Sequence, residues 1–218
     1  MFLTLQVEMT QRCDMQIYGN VIVTDYDGCC AYWEHGFHMW MLANGYKVLK
    51  TGFYDIEDMY GISSEKANIL TQAFNESAAL KRLPPVKDSI KYIRKLHEEH
   101  GYVFHCISAI PNTQDMYEAR MENIQNLFGK TAFERLVLCG SSTNKKELLK
   151  EYKDTDCFWI EDLTKNAEYG LEYNMRCILV NHHYNVNDTV NPRIRRVNNW
   201  KEIYSLICLL YTSDAADD

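Results

Sequence analysis

Four carboxylates, a hydroxyl and an ammonium lie where apolar runs give way to polar residues. Val21-Ile-Val-Thr leads into Asp25-Tyr-Asp27-Gly28, and a second run ends at Ser108-Ala109. A Gly-Ser-Ser-Thr-Asn stretch from Gly140 leads to Lys145 and Lys146, and a fourth run ends in Glu161-Asp162. Brought together, these four carboxylates against one lysine carry a formal charge of −3. Two like charges ~4 Å apart repel by about 4 kcal/mol at an effective dielectric near 20, so the group must take up protons or hold a cation. Hard oxygen donors in a loose cluster suit Mg²⁺, which keeps several waters and often bridges to a substrate phosphate. Lysine and serine would then supply donors for the remaining phosphoryl oxygens.

The elements that would bring these residues together can be read from periodicity. Short apolar runs at residues 20–24, 102–107, 136–139, 157–160 and 176–180 alternate with amphipathic stretches. Val86, Ile90, Ile93 and His97 share one helical face, as do Met116, Ala119, Asn123 and Leu127 before a stop at Gly129. Further helices are expected at 147–152, at 165–173 and through Trp200, Ile203 and Ile207. Continuous apolar strands alternating with helices predict a doubly wound α/β fold on a parallel sheet covered on both faces. All four polar strand ends then lie on its carboxyl edge.

The segment between Cys30 and Leu83 breaks this alternation. It holds helical stretches at 31–44 and 64–79 and no convincing strand, and Pro84-Pro85 marks the return. A helical insertion directly after the first strand would sit over the carboxyl edge as a cap. The expected division is therefore a core at 16–30 and 84–207, with a cap at 31–83. Residues 208–218 read as translated sequencing-library adapter, an artefact set apart from the fold.

Composition narrows the function classes. The chain has 218 residues, 46% of them hydrophobic and 24% charged, as in ordinary globular proteins. Without the three Asp of the tail the formal charge rises from −7 to −4, which argues against polymeric nucleic acid as the main partner. No apolar run approaches the ~20 residues that span a bilayer. The short apolar patch at residues 2–7 lacks a basic leader and a small-residue cleavage site, so a secretory signal is not expected. Several cysteines, Cys106, Cys139 and Cys157 among them, sit in apolar runs; none has C-x-x-C spacing, and they read as small core residues of a reducing compartment, the cytoplasm.

Together the motifs resemble those of the haloacid dehalogenase (HAD) superfamily of phosphohydrolases. Val21-Ile-Val-Thr-Asp25-Tyr-Asp27-Gly28 is similar to its first motif and Phe104-His-Cys-Ile-Ser108 to the second. Lys145 at a helix start matches the third, and Trp159-Ile-Glu161-Asp162 is similar to the fourth. Ala31-Tyr-Trp33 with Phe37, Trp40 and Gly45, and Asn166-Ala-x-x-Gly170 with the segment Ile178 to Asn185, resemble the 5'(3')-deoxyribonucleotidase-like branch. Cys29 stands where the superfamily commonly has Thr or an aliphatic residue, and Glu161 where many members have Asp.

The resemblance implies a Mg²⁺-dependent phosphomonoesterase in which Asp25 is phosphorylated and Asp27 serves as general acid and base. Ser108 and the Ala109 N–H would hold the phosphoryl group, and Lys145 would neutralise it, with Lys146 as the alternative. Asp25, the Asp27 carbonyl and Asp162 would bind the metal, supported by Glu161. Trp33, Phe37, Trp40 and Tyr54 could stack on a nucleobase, although an aromatic stripe at helical spacing is more often core. His35 and His38 have ligand-like spacing without a third partner, and a partly exposed helix face accounts for them.

The substrate implied is a small phosphorylated molecule, such as a nucleotide, a sugar phosphate or another metabolite. A non-catalytic phosphate-binding module on the same fold is the competing class. A response-regulator receiver also combines acidic residues, Ser or Thr and Lys, but its receiving Asp lies mid-domain. This chain places its acidic pair on the first strand.

Overall fold

The computed structural model describes residues 19–50 and 55–214. Six parallel strands form one sheet in the order β3-β2-β1-β4-β5-β6. They are β1 (Val21–Thr24), β2 (Val103–Ser108), β3 (Phe133–Leu138), β4 (Phe158–Glu161), β5 (Arg176–Val180) and β6 (Arg195–Val197). The helices are α1 (Trp33–Ala43), α2 (Ile56–Tyr60), α3 (Ser64–Asn75), α4 (Ser89–His100), α5 (Gln114–Phe128), α6 (Lys145–Leu149), α7 (Thr164–Glu172) and α8 (Trp200–Asp214). This is the expected doubly wound α/β architecture.

The period-two alternation of the strands divides the core between the two faces. Ile22, Phe104, Phe158 and Ile160 pack with Ile93, Ile124, Trp200 and Ile203, from the layer of α4, α5 and α8. Val21, Val23 and Trp159 pack with Leu149, Tyr152 and Ala167, from α6, the 3-10 turn after it, and α7. β1 is buried throughout because strands flank it on both sides and helices cover both faces.

From β1 the chain winds outward to β2 and β3, then crosses back to β4 on the other side. The reversal places the ends of β1 and β4 at a topological switch point, where open α/β sheets bind ligands. Thr24 pairs with Cys106 of β2 and Ile160 of β4, so Asp25 emerges level with Ile107-Ser108 and Glu161-Asp162.

Residues 31–83 hold α1, α2, α3 and a 3-10 turn, Leu80–Arg82. Phe37 and Met41 join Leu70, Phe74, Leu80 and Leu83 in an apolar cluster continuous with Tyr26 and Cys29 below. The segment leaves and rejoins the core at a single place. Tyr32 N–H donates to the Pro84 carbonyl at 2.8 Å, and Val86 N–H donates to the Cys30 carbonyl at 2.9 Å.

Several boundaries differ from the sequence reading. β3 begins at Phe133, ahead of the expected 136, because Glu134 and Arg135 interrupt the apolar run of an edge strand. β6 was not foreseen: it is three residues long and contains two arginines. The last helix continues past Ile207 through Asp214, into the segment read as adapter. Cys29, Cys30, Cys106, Cys157 and Cys177 are buried free thiols, as expected of core cysteines, whereas Cys13 lies outside the described residues. Among the described residues, no helix is long and apolar enough to cross a membrane.

Candidate active site

The loop after β1 is a tight turn in which the Cys30 and Ala31 amides both donate to the Tyr26 carbonyl, at 2.8 and 3.0 Å. Thr24 Oγ1 donates to the Asp25 carbonyl at 2.7 Å. Gly28 has φ of +80°, and a Cβ built on it would overlap the Asp162 carboxylate. Glycine is therefore required there both by conformation and by the close approach of a second acidic loop.

Lys145, at the start of α6, is buried between two carboxylates. Its Nζ lies 2.9 Å from Asp25 Oδ1 as an ion pair and donates a hydrogen bond of 2.6 Å to Glu161 Oε1. Lys146 faces solvent and pairs with Glu172. Of the two lysines, Lys145 is the one whose Nζ contacts Asp25.

Glu161, expected to support the metal site, has both carboxylate oxygens engaged by the protein. Its Oε1 accepts from Lys145 and Asn166 Nδ2, and its Oε2 accepts from the Asp162 and Leu163 amides, each at 2.7 Å. These contacts tie the Glu161 carboxylate to Lys145 and to the backbone of the loop after β4. Burial opposes its ionisation, yet Lys145, the Leu163 amide and the Asp162 side chain hold its pKa below the ordinary value.

Asp25, Asp162 and Cys29 offer ligand atoms within 4.8 Å of one another. Burial pushes the Asp25 pKa up to about 7 against the attraction of Lys145, with Glu161 and Asp27 adding repulsion. Asp162 is raised as well, by burial and by the charges of Glu161 and Asp25. Two buried carboxylates that favour protonation without a cation are a fitting oxygen-donor pair for Mg²⁺. Burial and those carboxylates also keep Cys29 a thiol, a poor ligand for so hard an ion.

Ser108, at the end of β2, is fully buried, and among the described residues its Oγ has no hydrogen-bond partner. The adjacent Ala109 lines a cleft of 330 Å³ together with Asp25, Asp27, Gly28, Ser142, Lys145 and Asp162. Opposite them stand Tyr32, Trp33, Glu34, Thr71 and Asn75 from the insertion and its approach. Of the residues foreseen at the four strand ends, Asp25, Asp27, Ala109, Lys145 and Asp162 line this cleft, whereas Ser108 and Glu161 do not.

The aromatic stripe of α1 divides. Trp33 reaches the cleft, with its indole N–H donating to Asn75 Oδ1 at 2.9 Å. Phe37 is buried against Phe74 and Tyr60, and Trp40 packs against Phe74, so neither lines the cleft. Tyr54 lies outside the described residues. His35 is exposed, while His38 Nδ1 meets Tyr60 Oη at 2.8 Å.

Sequence reasoning missed three neighbours of the acidic loops. Arg120 Nη2 donates to Asp27 Oδ2 at 2.8 Å. Its signal was present: an arginine three positions before Asn123 and four after Met116 falls on the buried face of α5. From the loop after β5, Tyr184 donates to Asp162 Oδ2 and His182 Nε2–H donates to the Gly28 carbonyl at 2.8 Å. Their rings stack at 5.0 Å.

No protein-family model matches the chain. A 32.4 kDa uncharacterised protein of Enterobacteria phage T4, encoded in the gp30–rIII intergenic region, is 24% identical over 198 residues, 84% of this chain and 67% of that one. A HAD-hydrolase of Bacillus subtilis, crystallised bound to magnesium, superposes with a TM-score of 0.57 at 9% identity, over 86% of this chain and 97% of that one. The fold is that of HAD hydrolases. CbbY of Rhodobacter sphaeroides, solved in complex with phosphate, superposes with a TM-score of 0.54 at 16% identity, over 84% of this chain and 96% of that one.

Proposed function

We propose that this chain hydrolyses small phosphate monoesters with Mg²⁺, through a phosphoryl group carried transiently on Asp25. The observation that carries the reading is the meeting of Asp25, Asp27, Lys145 and Asp162 on one cleft at the switch point of the sheet. Neighbours of the same fold crystallised with magnesium and with phosphate support it.

Each residue then has a defined task. Asp25 attacks phosphorus as a carboxylate, the ester P–O bond breaks, and the leaving oxygen takes a proton from Asp27. Asp27 next takes a proton from the water whose oxygen attacks the phosphoaspartate, releasing inorganic phosphate and restoring Asp25. Lys145 keeps positive charge beside Asp25 through both steps, held by Glu161. Ser108 Oγ, buried without a partner, supplies a donor that a phosphoryl oxygen would satisfy. Mg²⁺ held by Asp25, the Asp27 carbonyl and Asp162 would neutralise phosphoryl charge.

A cleft of 330 Å³ is at the small end for ligand sites and favours a compact metabolite such as a sugar phosphate. The nucleotide expected from the sequence would find Trp33 to stack on, without Phe37 or Trp40. A non-catalytic phosphate-binding role gives no account of a paired Asp25 and Asp27 with a buried lysine beside the first.

The test is phosphate release from sugar phosphates, ribo- and deoxyribonucleotides and an aryl phosphate, with Mg²⁺, with EDTA, and with Asp25→Asn. EDTA-sensitive release that the variant loses supports the reaction. Release unchanged in Asp25→Asn removes Asp25 as the nucleophile.

A further inference from the structure

The residues proposed for the reaction occupy one side of the cleft. Tyr32, Trp33, Glu34, Thr71 and Asn75 stand on the other, across from Asp25 and Lys145. Thr71 and Asn75 lie one turn apart on α3 and so share a face. Trp33 and Glu34 open α1. An ester whose phosphate rests on Asp25 would turn its organic part toward these side chains.

Asn75 is only 6% exposed, and half of its amide is committed. An indole N–H can only donate, so the atom it meets at 2.9 Å is Oδ1, which fixes the orientation of the amide. Trp33 is itself fixed, stacked on Phe37 at 5.0 Å and edge-on to Phe74 at 5.3 Å. Asn75 Nδ2 has no hydrogen-bond partner among the described residues, yet it is not sealed from solvent. On a nearly buried residue that lines the cleft, those N–H groups are donors that a ligand oxygen would satisfy.

Charge narrows what that ligand is. Among the described residues that line the cleft, Lys145 is the only Lys or Arg, and it is engaged by Asp25 and Glu161. His182 lines it too, but burial lowers its pKa and favours the neutral ring. Glu34 places a carboxylate on the insertion side, 3.7 Å from His183 Nε2. A second phosphate would meet that like charge with no lysine or arginine to offset it. Hydroxyl groups suit the same surface, since they donate to a carboxylate and accept from an amide. We propose that Asn75 and Glu34 form a subsite for the uncharged, hydroxyl-bearing part of an ester that carries a single phosphate. Asn75 Nδ2 donates to one of its oxygens, Glu34 accepts from a hydroxyl, and Trp33 is the positioning residue that aims the amide. The proposal rests on the phosphomonoesterase reading given above and narrows its substrate class.

The test compares kcat/KM for glucose 6-phosphate and fructose 6-phosphate, for their 1,6-bisphosphates, and for phenyl phosphate, whose organic part has no hydroxyl. The parent is expected to favour at least one monophosphate over its bisphosphate by about tenfold or more, and Glu34→Gln to narrow that ratio severalfold. Asn75→Ala is expected to lose about tenfold more on that monophosphate than on phenyl phosphate. Trp33→Phe, which keeps an aromatic ring and drops the indole N–H, should show the same bias at smaller size. A purely structural role for Asn75 would lower all the esters alike, so equal losses on sugar and phenyl esters in folded Asn75→Ala overturn the proposal. So does a parent that takes the bisphosphates as readily, or a ratio that Glu34→Gln leaves unchanged. If Asn75→Ala does not fold, Trp33→Phe decides, and equal losses there overturn it. Asp25→Asn separates the two levels. Phenyl phosphate release that this variant loses, without any of the preferences above, sinks this proposal alone, and no release from any ester in the parent sinks the phosphomonoesterase reading with it.

Discussion

Gly28 lies directly against the carboxylate of Asp162, in a conformation with φ of +80° that L side chains rarely adopt. The loops after β1 and β4 close on each other only because one of them lacks a side chain at this point. Gly28→Ala combines unfavourable φ with steric overlap. It is expected to destabilise the protein by more than about 2 kcal/mol and to weaken Mg²⁺ binding, measured by thermal unfolding and by isothermal calorimetry. A variant that melts with the parent and binds Mg²⁺ equally contradicts the close approach.

Lys145 and Lys146 are adjacent in sequence and opposite in environment. Lys145→Met leaves Glu161 and Asp25 buried without their cation, which should cost about 3–5 kcal/mol and abolish turnover. Lys146→Met removes a solvent-exposed pair with Glu172 and should leave melting and activity unchanged. Similar effects from the two changes would contradict the placement of Lys145.

Ser108 separates stability from function. Because its buried hydroxyl has no hydrogen-bond partner among the described residues, Ser108→Ala should change stability by less than about 1 kcal/mol. Turnover should nonetheless fall by about 10²-fold if Oγ donates to the phosphoryl group. Melting curves and phosphate release on the same sample check both halves, and an active Ser108→Ala removes the serine from phosphate binding.

Without metal, the acidic pair makes stability fall as pH rises. The native Asp25 carboxyl keeps its proton up to about pH 7, while an unfolded chain releases it near the ordinary value of 3.8. Between those values the folded state binds more protons. The stabilisation is therefore full below 3.8 and lost as pH rises through 7, a change on the order of 4 kcal/mol, and Asp162 acts in the same direction. In EDTA, Tm should drop from pH 5 to pH 8, and the drop should be smaller in Asp25→Asn. Added Mg²⁺ should raise Tm more at pH 8 than at pH 5, because it binds the ionised carboxylates. A metal-free Tm that climbs across this range contradicts the shifts.

The parts of the fold that were legible in the sequence share one physical cause. A strand covered on both faces must be apolar throughout, so β1, β2, β4 and β5 stand out as runs whose polar ends mark the carboxyl edge of the sheet. β6 carries two arginines at the sheet's edge and gives no such run. For the site, residue type showed that carboxylates gather but not where each oxygen points. Glu161 reads like any acidic partner of Asp162, and only the four donors around it reveal its bond to Lys145. Tyr184 belongs to a loop whose return to the cleft depends on how β5 ends, which periodicity does not encode. Trp33, Phe37 and Trp40 share a helical face, and the fold decided which ring reaches the opening.

The paired backbone at Tyr32–Pro84 and Cys30–Val86 brings the ends of the insertion together as neighbouring strands of a hairpin would be. To the core, some fifty residues therefore count topologically as one turn. A segment joined in this way can lengthen, shorten or be exchanged with little strain on the sheet beneath, since the gap to be bridged is always the same. The acidic loops and Lys145 could then stay in place while the wall facing them changed, and with it the range of molecules admitted.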